Sequence, residues 1–210
     1  MRNAHINLYE STTPDTTDWL SIEWKKVEKY VDKQQKRIYS AEKEGYSHKV
    51  RNIQRMLMNS KAVVLLAVRR VTQINKGKHS PGIDGIVVLT NKERGKLVDK
   101  IMSRKIKRHK PKPAYRKYIK KKSGKLRPLG IPAIIDRVYQ EIVRILLEPQ
   151  AEAQFEPTSY GFRPKRSVHD AIERIFANIR GGVWVYVYEG DFKDCFNNLS
   201  HEFILKQLKG

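Results

Sequence analysis

The stretch Tyr115-Arg116-Lys117-Tyr118-Ile119-Lys120-Lys121-Lys122-Ser123-Gly124-Lys125-Leu126-Arg127-Pro128-Leu129-Gly130-Ile131-Pro132 decides the reading of this 210-residue chain. Tyr115 to Ile119 and Leu126 to Ile131 have the β-branched and aromatic content of strands. Lys122-Ser123-Gly124-Lys125 supplies a turn between them, so a strongly basic β-hairpin is expected. From Lys100 to Arg127 the chain places 14 Lys or Arg in 28 residues and no Asp or Glu. Such a segment tracks a phosphate backbone by releasing its counterions. A solvated face or loose arm is the plainer alternative; Tyr115, Tyr118 and Ile119 interleave with the charges as strand residues would.

Outside the hairpin the balance shifts. The whole chain carries 43 Lys and Arg against 22 Asp and Glu, a formal net charge of +21. The last 30 residues hold only Lys193, Lys206 and Lys209 against Glu189, Asp191, Asp194 and Glu202. The excess points to a polyanionic partner, most simply nucleic acid. A single cysteine rules out an internal disulfide and any Cys₂His₂ or Cys₄ zinc site. An apolar fraction of 40% is enough for a folded core. No apolar run reaches membrane-spanning length, and Met1-Arg2-Asn3-Ala4-His5 leads into no signal-like segment. A soluble intracellular protein is expected.

Periodicity places the other elements. Residues 1–17 are polar and read as a loose tail. A helix is expected from Asp18 to Gly45, with Trp24, Val27, Val31, Ile38 and Ala41 on one face, and a second from Ser47 to Gln73. Asn75 to Gly85 is a glycine-rich basic loop without the pattern of a P-loop. Thr90 and Glu93 form a capping box ahead of the next helix. Ile135, Val138, Tyr139, Ile142, Val143, Leu146 and Leu147 mark the clearest helix, which Pro149 ends or kinks. Ser159 to Pro164 is an aromatic, basic loop. Ser167 and Asp170 cap a helix whose Val168, Ala171, Ile172, Ile175, Phe176 and Ile179 should face inward, and Gly181-Gly182 ends it. Val183 to Tyr188 reads as a central strand, and Ser200 to Leu208 as a short closing helix. Strand neighbours for 183–188 are lacking, which predicts marginal solubility or association through it. The six histidines form no metal-ligand spacing and read as surface or capping residues.

Asp191 follows the strand expected at 183–188. A carboxylate there sits on a fixed backbone beside unpaired carbonyls, a good position for Mg²⁺, which takes few carboxylates plus substrate phosphates. An Asp after a strand is also a common turn or cap residue.

The ordered set of motifs narrows these readings. Ile119 to Pro132, then Asp136-Arg137-Val138-Tyr139-Gln140, Leu147-Glu148-Pro149, Phe155, Ser159-Tyr160-Gly161-Phe162-Arg163-Pro164-Lys165-Arg166-Ser167 and Gly190-Asp191-Phe192-Lys193-Asp194-Cys195-Phe196 resemble the group II intron-encoded reverse transcriptase/maturase family. Val71 to Gly85 resembles that family's extra N-terminal block, and Trp19, Trp24 and Gln35 its N-terminal extension. Retron and CRISPR-associated reverse transcriptases are relatives. The resemblance implies an α+β, right-hand polymerase fold that is incomplete here. Its parts would be a flexible tail (1–17), a helical N-terminal extension (18–74), a fingers subdomain (75–180) and the start of the palm with its motif A (181–210). It implies RNA-directed DNA synthesis with two Mg²⁺ ions, or Mn²⁺ in their place. Asp191 would be the first metal-binding aspartate and the Phe192 carbonyl a backbone ligand. Lys121 and Arg127 would hold the triphosphate, and Phe196 would exclude a ribose 2′-hydroxyl, unless it simply packs in a core. Lys76, Lys78, Lys125, Arg163, Lys165 and Arg166 would contact nucleic acid. The implied partners are an RNA template or intron RNA, a DNA or RNA primer, dNTP, and a second polypeptide completing palm and thumb. The implied location is cytoplasmic, bacterial or organellar.

Two departures set limits. The family's Y-x-D-D motif lies downstream of motif A, and this chain has no Asp-Asp pair. Asn197 stands where many relatives have Asp. The chain is therefore expected to be a fragment, inactive as a polymerase by itself. The competing reading is a maturase-like RNA-binding module that assists splicing without polymerising. A basic structural protein of a ribonucleoprotein would explain the charge but not the motif order.

Overall fold

The computed structural model describes residues 17–103, 109–120, 122, 124–182, 186–193 and 195–209. The chain divides into two compact units, Met1–Glu156 and Pro157–Gly210. It is a mixed, mainly helical structure with one two-stranded antiparallel sheet among the described residues.

In the first unit, α1 (Trp24–Lys43), α2 (Ser47–Met58) and α3 (Lys61–Arg69) precede a π-helical turn at Arg70–Ile74 and a 3₁₀ turn at Lys76–His79. Then come α4 (Asn91–Ser103), β1 (Tyr115–Lys120), β2 (Leu126–Ile131) and α5 (Ile134–Gln154). The core gathers Val31 and Ile38 of α1, Val50 and Leu57 of α2, Val63 and Val68 of α3, Val98 of α4, and Val138 and Ile142 of α5. α5 packs on α1, α2 and α3, and α4 packs on α3.

Several expectations change here. The helix foreseen from Ser47 to Gln73 is broken at Asn59-Ser60. The Asn59 amide donates to the Arg55 carbonyl at 3.2 Å, and Ser60 adopts an extended conformation as the N-cap of α3. Both residue types offer the backbone local alternatives to helical bonding. On α5, Val138, Tyr139, Ile142 and Leu146 are buried as expected, whereas Val143 and Leu147 are exposed and the buried stripe takes in Ile134, Ile145 and Ala153 as well. Spacing defined the stripe but not which of its edges the neighbours cover.

Pro149 neither ends nor interrupts α5, which continues to Gln154 with Pro149 buried inside it. Proline has no N–H, so the Ile145 carbonyl four residues earlier loses its helical partner. Gln35 of α1 replaces it: its side-chain amide donates to the Ile145 carbonyl at 2.9 Å. Gln54 of α2 donates to the Leu146 carbonyl at 3.3 Å and to Gln150 Oε1 at 2.7 Å. Gln150 and Gln154 both donate to the Glu42 carboxylate. A polar seam thus crosses three helices where proline opens the ladder.

The N-terminal approach is tied to α4. Thr17 donates through its backbone N–H and hydroxyl to the Asp99 carboxylate, at 2.9 and 2.5 Å. Trp19 is buried, its ring 4.9 Å from that of Trp24. Arg94, 8% exposed, lies over Trp19 and donates to the hydroxyl and the carbonyl of Thr72 in the π-helical turn. Burial pulls this guanidinium below its ordinary pKa, opposed by the neighbouring Glu93. The capping box foreseen at Thr90 and Glu93 is present in both directions.

In the second unit, α6 (Val168–Ile179) is followed by α7 (Cys195–Asn198) and α8 (His201–Lys209). The Ser167–Asp170 capping box forms as expected. Bonds from the Ser167 N–H and hydroxyl hold the Asp170 carboxyl below its ordinary pKa. A depressed carboxylate contributes stability above its unfolded pKa and loses it as pH falls through the folded value, so α6 should fray in acid. The apolar face of α6 does not turn inward: Val168, Ile172, Ile175, Phe176 and Ile179 are all exposed. The amphipathic pattern is real, but no described element covers it. Of the strand expected at 183–188, residues 183–185 lie outside the described residues, and Tyr186, Val187 and Tyr188 are exposed and outside any sheet. A lone strand has no ladder partner for its N–H and C=O groups.

The proline seam is testable by urea denaturation. Gln35→Ala should cost about 1–3 kcal/mol, because it strands a carbonyl in the helix packing. In a Pro149→Ala background the new N–H restores the helical bond, and the cost of Gln35→Ala should fall below about 1 kcal/mol. Equal costs in the two backgrounds would show that the seam has another origin.

Candidate nucleic-acid interface

The expected basic hairpin forms with the expected strands. β1 and β2 pair antiparallel, with Tyr115 opposite Ile131, Lys117 opposite Leu129 and Ile119 opposite Arg127. Directly opposed residues share a face. One face therefore carries Tyr115, Lys117, Ile119, Arg127, Leu129 and Ile131. Gly124, at φ +80° in the turn, adopts the left-handed conformation that glycine tolerates best. Nearly every strand residue is exposed. Arg127 and Lys125 therefore stand in solvent, and no hairpin Lys or Arg forms an ion pair among the described residues. Lys121, foreseen as a triphosphate contact, lies outside the described residues.

The loop at 75–85 is positioned from α5. Arg137 donates to the carbonyls of Pro132 at 2.8 Å, Gly77 at 3.0 Å and Ser80. Burial lowers its pKa, with Asp84 opposing. Gly82 passes so close to Ala133 that a Cβ there would lie 2.6 Å from that residue's N and Cα. Lys76 is exposed, while Lys78 is half-buried and donates to the Gln73 carbonyl at 3.0 Å.

A cluster that the sequence pattern did not reveal lies beside this loop. Asp136, 3% exposed in the first turn of α5, meets His109 Nε2 at 2.5 Å and accepts from the Lys112 N–H at 3.1 Å. The His109 ring stacks on Tyr139 at 4.0 Å. His109 is thus neither a surface residue nor a cap, as had been expected of every histidine. Its partners are more than twenty residues away in sequence, so no local spacing announces it. Asp84 accepts from the Ile86 N–H at 3.2 Å and pairs with Lys112 Nζ at 3.4 Å.

In the second unit Asp191 is exposed, and Phe192 beside it is 83% exposed. An open carboxylate next to a backbone carbonyl suits a cation that completes its shell with water and phosphate. Among the described residues no three His, Cys, Asp or Glu converge on a metal position; Asp194 lies outside them. Phe196 falls in α7. Arg163 does not present its charge: it is 8% exposed and donates to the Ser159 carbonyl at 2.6 Å, bracing its own loop. Lys165 and Arg166 are exposed, with Arg166 over the Tyr160 ring at 5.5 Å.

Comparison with known proteins assigns the class. Residues 19–101 match the N-terminal domain of reverse transcriptase, and residues 119–210 match the reverse transcriptase (RNA-dependent DNA polymerase) domain. Protein YkfC of Escherichia coli is 39% identical over 155 residues, covering 69% of this chain and 39% of that protein. The group II intron-encoded protein LtrA of Lactococcus lactis is 44% identical over 129 residues, covering 60% of this chain and 21% of that protein. Maturase-like protein 1 of Euglena gracilis is 28% identical over 191 residues, 88% of this chain and 41% of that protein. The chain belongs to the group II intron reverse transcriptase and maturase family. It spans less than half the length of these relatives. No described helix is long and apolar enough to cross a membrane.

Gly82→Ala tests the loop anchor. The added methyl must displace backbone, so a loss of about 1–3 kcal/mol in urea denaturation is expected. Gly161→Ala, with nothing within 4 Å of the new Cβ, should leave the transition within about 0.5 kcal/mol.

Proposed function

We propose that this chain is the template- and triphosphate-holding portion of a group II intron reverse transcriptase. The observation that carries this reading is the exposed β1–β2 hairpin, with basic side chains on both strands unpaired among the described residues, whose end of β1 from Ile119 and whole β2 fall in the region that matches the polymerase domain. In this reading the architecture is a right-hand polymerase fold in part: helical extension at 18–74, fingers at 75–180 and the opening of the palm at 181–210.

Arg127 grips the triphosphate in a bidentate fork, and Lys121 adds a point charge. Asp191 and the Phe192 carbonyl hold Mg²⁺, which when bound stabilises charge on the transferring phosphate. Phe196 screens the sugar. Lys76, Lys125, Lys165 and Arg166 contact template or intron RNA, and Lys78 and Arg163 shape the loops that bring those contacts to the strand. The template is RNA, the primer DNA or RNA, and the substrate dNTP. The 210-residue chain, with no Asp-Asp pair, does not polymerise by itself, and a further polypeptide segment supplies the remaining carboxylates.

A second reading, an RNA-binding module that assists intron splicing, draws support from the match to a maturase-like protein over 88% of the chain. The two readings part at Asp191. On poly(rA)/oligo(dT) the purified chain should incorporate no dNTP; clear incorporation would overturn the proposed inactivity. RNA affinity, measured by fluorescence anisotropy, should change less than about twofold in Asp191→Ala. Arg127→Ala combined with Lys125→Ala should weaken binding across all RNA sequences and reduce the salt slope by about 0.7 per lost contact. When activity is restored with the downstream segment of a relative, Asp191→Ala should abolish it; full activity in that variant would favour the splicing module.

A further inference from the structure

The first unit contains a cavity of about 310 Å³ between α4, the chain following the glycine-rich loop, and the start of α5. Its floor is apolar, formed by Ile86, Val88, Leu97 and Ile134. Lys100 and Lys110 stand on its wall beside His109 and the Asp84–Lys112 pair. This size is at the lower end for ligand sites and admits one small molecule or one nucleotide, not a duplex.

The walls are held in place. His109 is gripped by Asp136 and stacked on Tyr139, and Asp84 is fixed by the Ile86 N–H and Lys112. The ligand must therefore offer an apolar body for the Ile86, Val88, Leu97 and Ile134 side chains, an anionic group for the exposed Lys110, and a hydroxyl donor for the fixed Asp84 carboxylate. An apolar acid lacks the hydroxyl, and a bare phosphate leaves the floor wet. The base, ribose hydroxyls and phosphate of a single nucleotide satisfy all three demands.

We infer that this cavity binds one nucleoside monophosphate unit, free or as an unstacked nucleotide within a single strand. The site lies apart from Asp191 in sequence and uses none of the hairpin side chains, so it stands whether or not the chain takes part in polymerisation.

The test is calorimetric titration of the 210-residue chain with adenosine 5′-monophosphate, adenosine, inorganic phosphate and a single-stranded RNA pentamer. Adenosine 5′-monophosphate should bind at least about tenfold tighter than adenosine or phosphate. Lys110→Glu, on an exposed side chain, should weaken it about tenfold or more with an unchanged thermal midpoint. Ile86→Trp, which fills the cavity, should abolish it. Displacement of the mononucleotide by the pentamer assigns the site to a strand; failure to displace it assigns the site to a free nucleotide. Equal affinity for phosphate and the mononucleotide, or no effect of Lys110→Glu, would overturn the inference. Binding of long RNA through the hairpin should persist in both variants, so a failure here and a failure of the proposed function are separable.

Discussion

One carbonyl oxygen organises the larger unit. Pro149 removes the N–H that would have satisfied Ile145, and a helix packed against three others cannot leave that oxygen bare. Gln35 closes the gap from α1, and Gln54 extends the repair to Leu146 from α2. Both amides then fix the rotation and depth at which their helices sit on α5. Because α5 is the element that α1, α2 and α3 share, a local defect in one helix becomes the registration point of the bundle.

From α5 the constraint passes outward to the basic surface. The first turn of α5 carries Asp136 and Arg137 side by side and sends them in different directions. Asp136 takes His109 and the Lys112 N–H, which fixes the chain just before β1. Arg137 takes the carbonyls of Gly77 and Ser80, which fixes the glycine-rich loop. Neither residue would contact a phosphate. Their role is to hold two basic segments at set positions on one scaffold, and the missing Cβ of Gly82 allows the loop to come close enough.

What could be read directly were interactions complete within a few residues. The hairpin was legible to within a residue of its strand bounds, because strand composition and turn chemistry agree over Tyr115 to Ile131. Both capping boxes were legible, since donor and acceptor stand three residues apart. The misreadings share the opposite cause. Pro149 read as an end or a kink, and the end fails because its compensation comes from Gln35, over a hundred residues away. His109 looked like a surface residue because Asp136 and Tyr139 reach it only through the fold. The inward face of α6 was a correct pattern without a neighbour. In the candidate site, the basic character of the hairpin follows from composition, whereas the roles given to Asp191 and Lys121 rest on motif order.

The charge asymmetry has a structural origin of the same kind. Carboxylates in the first unit are largely occupied with holding it together. Glu28 pairs with Arg69, Glu141 with Arg70 and Arg144, Glu148 with Arg144, and Asp84 with Lys112. Asp99 holds Thr17, and Glu42 receives the glutamines of the proline seam. The hydrogen bond from Arg144 to Glu141 in turn raises the Arg144 pKa above its ordinary value. Among the described residues no carboxylate pairs with a cation of the hairpin. A net charge of +21 would be a poor guide to function if it were spread evenly. Here the first unit ties many of its carboxylates into internal pairs, while the hairpin keeps its cations exposed and unpaired among the described residues, the arrangement that the proposed phosphate contacts require.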